Sequence, residues 1–248
     1  MLSTDRLLDE IGRHCDAFAD AVLAADLDAP VASCPEWSVR DLAAHLGGVH
    51  RWATAHVGER RRKLVRRSET DPPMPGGPDA IAAWLREGAD ALVAVFREAD
   101  PDAEVGGFGR PVTVAWWARR QCHETLVHRA DTEIAAGLAP LAGVDPEVAS
   151  DGVDEHLEMI MLASAKRTAL HGAGETLHLH ATDAAGEWVV TREASDLRLE
   201  RDHARADVAL RATATTLLGV VTNRVAPEHA EVLGDADLLR HWLTHAVV

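Results

Sequence analysis

One helix-like stretch of the chain carries residue types that bind metal ions. In "QCHETLVHRADTE" (121–133), Glu124 and His128 are four positions apart, and Asp131 follows three positions later. In an α-helix this spacing places the three side chains on one face. A carboxylate oxygen and an imidazole nitrogen one turn apart come within reach of a single ion, so the spacing is compatible with a metal site.

His45 is the third candidate ligand. It lies between Leu42 and Val49 on an apolar stripe with helical spacing, which predicts that its imidazole faces a protein interior. Facing helices of a bundle supply ligands to a shared site, and two histidines with one carboxylate would leave a coordination position open. Two alternatives remain open: His45 as a hydrogen-bonded core residue, and Glu124 with His128 as an exposed helical pair.

The other histidines, including the C-terminal ones, show no comparable spacing. His50 is the nearest competitor, but it is five residues beyond His45 and lies off the apolar stripe. The three cysteines are widely spaced and form no CxxC pair, which favours a reducing compartment over a disulfide framework. Cys122 points away from the Glu124–His128 face, so no cysteine is predicted to be catalytic.

Composition excludes several classes of protein. The chain has 248 residues, of which 47% are apolar and 26% charged, with a formal net charge of −15. Such an acidic chain is not expected to bind nucleic acid, which requires Lys and Arg facing phosphates, or an anionic membrane. The N-terminus lacks the apolar core of a signal peptide, and no apolar run reaches the ~20 residues of a membrane span. A cytoplasmic protein is expected, and its oligomeric state is left open.

Helical periodicity covers the first two thirds of the chain. The second predicted helix begins at Ser38 in "SVRD", a capping-box pattern, and its end carries a basic run within residues 60–67, expected to be solvated or else to form an anion-binding patch. A turn-rich loop follows at 68–78. The predicted helices span about 4–25, 38–65, 79–98, 112–136 and 145–165.

The pattern changes after Gly174. "ETLHLHATD" alternates apolar and polar residues with a period of two, and three further short segments look like strands. Two helical segments follow. We therefore predict an α+β fold, with an N-terminal helical bundle over 1–170 and a small α+β domain with an antiparallel meander over 171–248.

Several segments resemble the mycothiol-dependent maleylpyruvate isomerase family. They are "CPEWSVRDLAAHLGGVHRWA", "HETLVHRADTEIAAG", "ASDGVDEHLEMI" and "ADVALRATATTLLGVVTNR…VLGDADLLRHWL". The resemblance covers nearly the whole chain in the expected order. It implies a DinB-like four-helix bundle that binds a metal, followed by an α+β module like sterol carrier protein.

The resemblance also implies a site and a reaction. The metal ligands of the family fall on His45, Glu124 and His128, and the metal is expected to be zinc, although two nitrogens and a carboxylate also suit iron or nickel. Mycothiol would be the thiol cofactor. The expected activity is addition of the activated thiol to a small, anionic electrophile, with cis–trans isomerisation of a maleylpyruvate-type substrate or S-transfer as the outcome.

Two further residues are candidates for catalytic roles. Arg224 in "VTNRV" matches a family arginine and would bind a substrate carboxylate, or else it satisfies carbonyls at a helix end. Asp131 would accept a ring N–H from His128, or else it faces solvent. Alternative functions are a non-catalytic metal-binding or ligand-binding protein and a zinc hydrolase that needs no thiol.

Overall fold

Four helices build the N-terminal unit of the chain. The computed structural model describes residues 2–64 and 73–248, and residues 2–141 cluster as one unit. Within the described residues of this unit, α1 packs against α3 and α4, and α2 also packs against α3 and α4. The helices are α1 (Thr4–Ala24), α2 (Val39–Gly58), α3 (Pro78–Glu98) and α4 (Val114–Ala135).

A short hairpin leads directly into each of the two helices that carry the candidate ligands. β1 (Pro30–Val31) pairs with β2 (Cys34–Ser38) before α2, and β3 (Glu104–Gly106) pairs with β4 (Pro111–Thr113) before α4. The predicted capping box of α2 is confirmed, because the side chain and backbone of Ser38 both bond to those of Asp41. The hairpins and caps therefore set where α2 and α4 begin.

Most of the buried side chains of this unit are apolar, and polar ones such as His50 and Asp131 are buried among them. Full burial of one large apolar side chain contributes about 1.5–3 kcal/mol to stability. The apolar residues whose helical spacing predicted the helices are the ones that form this core. The indole N–H of Trp117 donates to the carbonyl oxygen of Gly106 at 2.9 Å. The largest fully buried side chains of the N-terminal unit include Phe18, Leu42, Leu46, Leu85, Phe96, Trp117 and Leu126.

The second unit, residues 142–248, combines helices with a five-stranded sheet. The strand order is β7-β6-β5-β8-β9. The strands are β5 (Thr176–Ala181), β6 (Glu187–Arg192), β7 (Leu197–Glu200), β8 (Val208–Ala212) and β9 (Glu231–Gly234). The predicted α+β class is confirmed.

The sheet differs from the prediction in one pairing. The meander prediction holds for β5, β6 and β7, but β8 pairs with β5 in parallel, so the sheet is mixed. The reason is that residues 201–207 carry the chain back along the sheet before β8 begins. Short-range alternation cannot reveal such a return.

Three helices complete this unit: α5 (Pro146–Met161), α6 (Ala214–Val221) and α7 (Ala236–His245). The prediction grouped α5 with the bundle, whereas the structure packs it against α6 and β7. The division at 141/142 thus precedes the predicted boundary at 170 by one helix. Amphipathicity shows that α5 has a face to bury but not which partner covers it.

Two smaller expectations concern the end of α2. The helix ends at Gly58, earlier than predicted, and Arg60 adopts a left-handed conformation with φ of 50°. Arg66, Arg67 and the start of the 68–78 loop lie outside the described residues. No helix in residues 2–64 or 73–248 combines the length and apolar composition that crossing a bilayer requires.

Candidate metal centre

His45 on α2 meets Glu124 and His128 on α4. Nε2 of His45 lies 3.1 Å from Oε1 of Glu124, and Nε2 of His128 lies 3.3 Å from the same oxygen. The two imidazole rings are 5.0 Å apart between centroids and nearly perpendicular. One potential ligand atom from each residue lies within 4.8 Å of those of the other two.

Arg120 determines which oxygen of Glu124 faces the histidines. Its guanidinium, one turn before Glu124 on α4, donates to Oε2. Oε1 is therefore left to both imidazoles. The helical spacing of Arg120 and Glu124 could have indicated this pair from the sequence.

Asp131 holds the far side of the His128 ring. Nδ1 of His128 donates to Oδ2 of Asp131 at 2.9 Å, and the hydroxyl of Ser33 donates to Oδ1 at 2.5 Å. The Asp131 side chain is only 1% exposed, so the solvent-facing alternative is wrong. A carboxylate bonded to Nδ1 directs Nε2 toward Glu124, as carboxylates commonly do for metal-binding histidines.

The charges around Glu124 favour a cation. Burial raises the pKa of Glu124, but the Arg120 charge and the hydrogen bonds from His128 and His45 outweigh it and hold this pKa well below its usual range. Burial lowers the pKa of His128, but the hydrogen bonds to Asp131 and Glu124 raise it to about 9. Without a metal, the protonated imidazole of His128 therefore lies between the carboxylates of Glu124 and Asp131. A metal ion bound to Nε2 would replace the proton that this nitrogen shares with Glu124.

The centre is partly open to solvent. The side chains of His45, Glu124 and His128 are 21%, 18% and 12% exposed, so a small molecule can reach them. Trp37 on β2 covers the His45 ring at a centroid distance of 4.7 Å. The site is thus neither a closed core nor a freely solvated helix face.

His50, the competing candidate, lies elsewhere. It is fully buried, its Nε2 is 2.9 Å from the hydroxyl of Thr125, and burial lowers its pKa to about 4. Cys122 is also fully buried. Neither side chain belongs to the cluster formed by His45, Glu124 and His128.

The donor set suits a divalent ion. Two imidazole nitrogens and one carboxylate oxygen are ligands that Zn²⁺ accepts in catalytic sites, where a further position stays open. The metal role of these three residues stays a prediction, and so does the role of Asp131. Periodicity did not find Ser33, which contacts Asp131 across 98 positions of sequence.

Arg224 belongs to the other unit, just after α6. Its guanidinium donates to the carbonyl oxygen of Thr222 at 2.5 Å, as expected for an arginine at a helix end. Its proposed contact with substrate stays a prediction.

Two family models match the chain. The model described as the mycothiol maleylpyruvate isomerase N-terminal domain matches residues 8–133, and the model of the MDMPI C-terminal domain matches residues 147–241. No functionally curated protein matches.

Two solved structures share the fold. One is a mycothiol-dependent maleylpyruvate isomerase, with 15% identity and a TM-score of 0.61. The other carries the same name with a histidine replaced by alanine, with 16% identity and a TM-score of 0.60. Each match covers 93% of both chains.

Proposed function

The chain belongs to the mycothiol maleylpyruvate isomerase family of enzymes, and we propose that it uses a divalent metal, zinc, and mycothiol to act on a small anionic electrophile. The observation that carries the metal part is the convergence of His45, Glu124 and His128 on one partly open point. Family membership carries the thiol part.

The residues of the chain divide the work of holding the ion. His45 and His128 offer Nε2, and Glu124 offers Oε1 while Arg120 retains Oε2. Asp131 orients the His128 ring, so Nε2 of His128 would already point toward the ion before it binds. A zinc ion there would favour the thiolate form of a thiol that reached its open position, whereas a free thiol with a pKa near ~8.5 is mostly protonated at neutral pH.

The proposed reaction balances without a further reactant. One carbon of the substrate's cis double bond gains a bond to sulfur, and the π electrons move onto the conjugated carbonyl oxygen. Rotation about the new single bond, return of the electrons and cleavage of the C–S bond give the trans isomer and the original thiol. If the adduct instead gains a proton and leaves, the outcome is S-transfer.

An anionic substrate needs a cationic partner. We assign this role to Arg224 on the strength of the family pattern. Asp131 acts as a positioning residue through His128 and does not contact the substrate in this proposal.

The test is turnover of maleylpyruvate by the full chain with zinc, with and without mycothiol. Wild type is expected to isomerise the substrate only when both are present. His45→Ala and Glu124→Ala are expected to lose the zinc of this centre and turnover together, because each removes one of its three protein ligands. Cys34→Ser, which changes a partly buried cysteine outside the cluster, is the control and should keep both.

Other outcomes would contradict the proposal. Turnover without thiol would favour a zinc hydrolase, and zinc binding without turnover of electrophiles would favour a binding protein. Full activity in both His45→Ala and Glu124→Ala would show that the reaction does not depend on the proposed metal centre.

A further inference from the structure

The C-terminal unit contains a second cluster of metal-ligand side chains. The expectation that its histidines show no comparable geometry is wrong, since three of them meet one glutamate. Their potential ligand atoms all lie within 4.8 Å of one another. We call the set the sheet cluster, and its members are His178, His180, Glu187 and His203.

Three separate segments supply the sheet cluster. His178 and His180 are alternate residues of β5 and therefore point to one face. Glu187, the first residue of β6, is the register partner of His180. His203 comes from the 201–207 connection that carries the chain back to β8.

All three imidazoles direct a nitrogen at the Glu187 carboxylate. Nε2 of His178 and Nδ1 of His203 lie 2.9 and 2.5 Å from Oε2, and Nδ1 of His180 lies 2.9 Å from Oε1. The ring centroids are 5.1–6.1 Å apart. Zinc bonds of about 2.0–2.1 Å place tetrahedral ligand atoms about 3.4 Å apart, so only small side-chain shifts separate this arrangement from a coordination sphere.

The sheet cluster is buried at His178 and becomes more exposed toward His203, as expected if it holds a surface connection against the sheet. The residue His178 is 5% exposed at the base, while the side chains of Glu187 and His203 are 28% and 72% exposed. An exposed imidazole loses rotamer freedom when it is held against one carboxylate. A shared ion would offset this loss with a coordinate bond.

We propose that the sheet cluster is a second divalent-metal site, of zinc type, that pins the 201–207 connection to β5 and β6. Four protein ligands complete a tetrahedral shell and leave no position for substrate, which is the pattern of structural zinc. The site is independent of the centre in the bundle, because it shares no residue with it.

The experiment removes the bundle centre first. A full-length His45→Ala/Glu124→Ala variant is titrated with ZnCl₂ by calorimetry, and one ion per chain is expected to bind. Adding His180→Ala and His203→Ala should abolish this binding. Neither of these side chains is in the buried core, and thermal unfolding without zinc checks that the variant still folds.

His241 and His245 offer a matched control. They form a close histidine pair on α7, with ring centroids 4.4 Å apart, but among residues 2–64 and 73–248 they belong to no cluster of three or more potential metal ligands. Adding His241→Ala and His245→Ala to the bundle-centre variant should leave zinc binding intact. Loss of binding only in this control would overturn the proposal.

A local readout tests the clamp itself. Arg201 and Arg205 flank His203 and are exposed, so trypsin can cut on both sides of it. Zinc is expected to slow these cuts in the bundle-centre variant but not after His180→Ala and His203→Ala. No zinc binding by the bundle-centre variant, binding that survives those two changes, or cleavage unaffected by zinc would each overturn the proposal.

Discussion

At the residue scale, a chain of hydrogen bonds orients the side chains of the proposed metal centre. Ser33 bonds to Asp131, Asp131 bonds to Nδ1 of His128, and Nε2 of His128 faces Glu124. Each bond fixes the orientation of the next group. Asp131 is buried and bonded to His128, which supports the positioning role proposed for it.

Replacing Asp131 tests this role. Asp131→Asn keeps the size of the side chain but removes the charge that His128 faces, so zinc affinity should fall about 10–100-fold. Competition with a chromophoric chelator measures the affinity, and Asp90→Asn, at an exposed position of α3, serves as the control. Equal affinities for Asp131→Asn and wild type would show that this carboxylate does not tune the centre.

Only part of this arrangement could be predicted from residue spacing. The i, i+4 relation of Glu124 and His128 follows from helical geometry. The apolar stripe predicted that His45 faces the interior, whereas its side chain is 21% exposed in a partly open site. Ser33 is 98 positions from Asp131 in sequence, and its location in a tight hairpin carries no periodic pattern. Contacts of this kind become visible only when the bundle is assembled.

At the element scale, close packing of α2 on α3 supports the position of His45. A Cβ added to Gly47 would lie 1.9 Å from the ring of Trp84. The guanidinium of Arg51, also on α2, stacks on the Trp84 ring, with Cζ 3.9 Å from the ring centroid. The absence of a side chain at Gly47 thus allows α2 and α3 to approach closely at this point.

Two glycine substitutions test this packing. Gly47→Ala should lower the free energy of unfolding by about 1–3 kcal/mol, since Trp84 must move. Gly12→Ala, on α1 with nothing within 4 Å of the added Cβ, should raise it by about 0.5–1 kcal/mol, because alanine favours the helix. Urea unfolding measures the free energy of unfolding of both variants. A Gly47→Ala protein as stable as wild type would mean that α2, α3 and Trp84 adjust to the added methyl group at little cost.

Elements were predictable where local rules decide them. The capping box at Ser38 and the helical periods of α1 to α4 depend on neighbours in sequence. The parallel pairing of β5 with β8 and the packing of α5 on α6 depend on partners far along the chain. The sheet cluster escaped prediction for the same reason, because Glu187 and His203 reach β5 only through strand pairing and the 201–207 connection.

At the scale of the whole molecule, each of the two units contains one cluster of histidine and glutamate among its described residues. The bundle cluster has three potential protein ligands and partial access to solvent, as a reactive metal site requires. The sheet cluster has four, as a structural site requires. A chain with a net charge of −15 also attracts divalent cations from solution.

The most direct test of the metal centre is anomalous diffraction at the zinc absorption edge from crystals of the zinc-loaded full chain. We predict a peak at about 2.0–2.2 Å from Nε2 of His45, Nε2 of His128 and Oε1 of Glu124. Absence of density there, with the three side chains still bonded to one another in zinc-saturated crystals, would contradict the proposed centre.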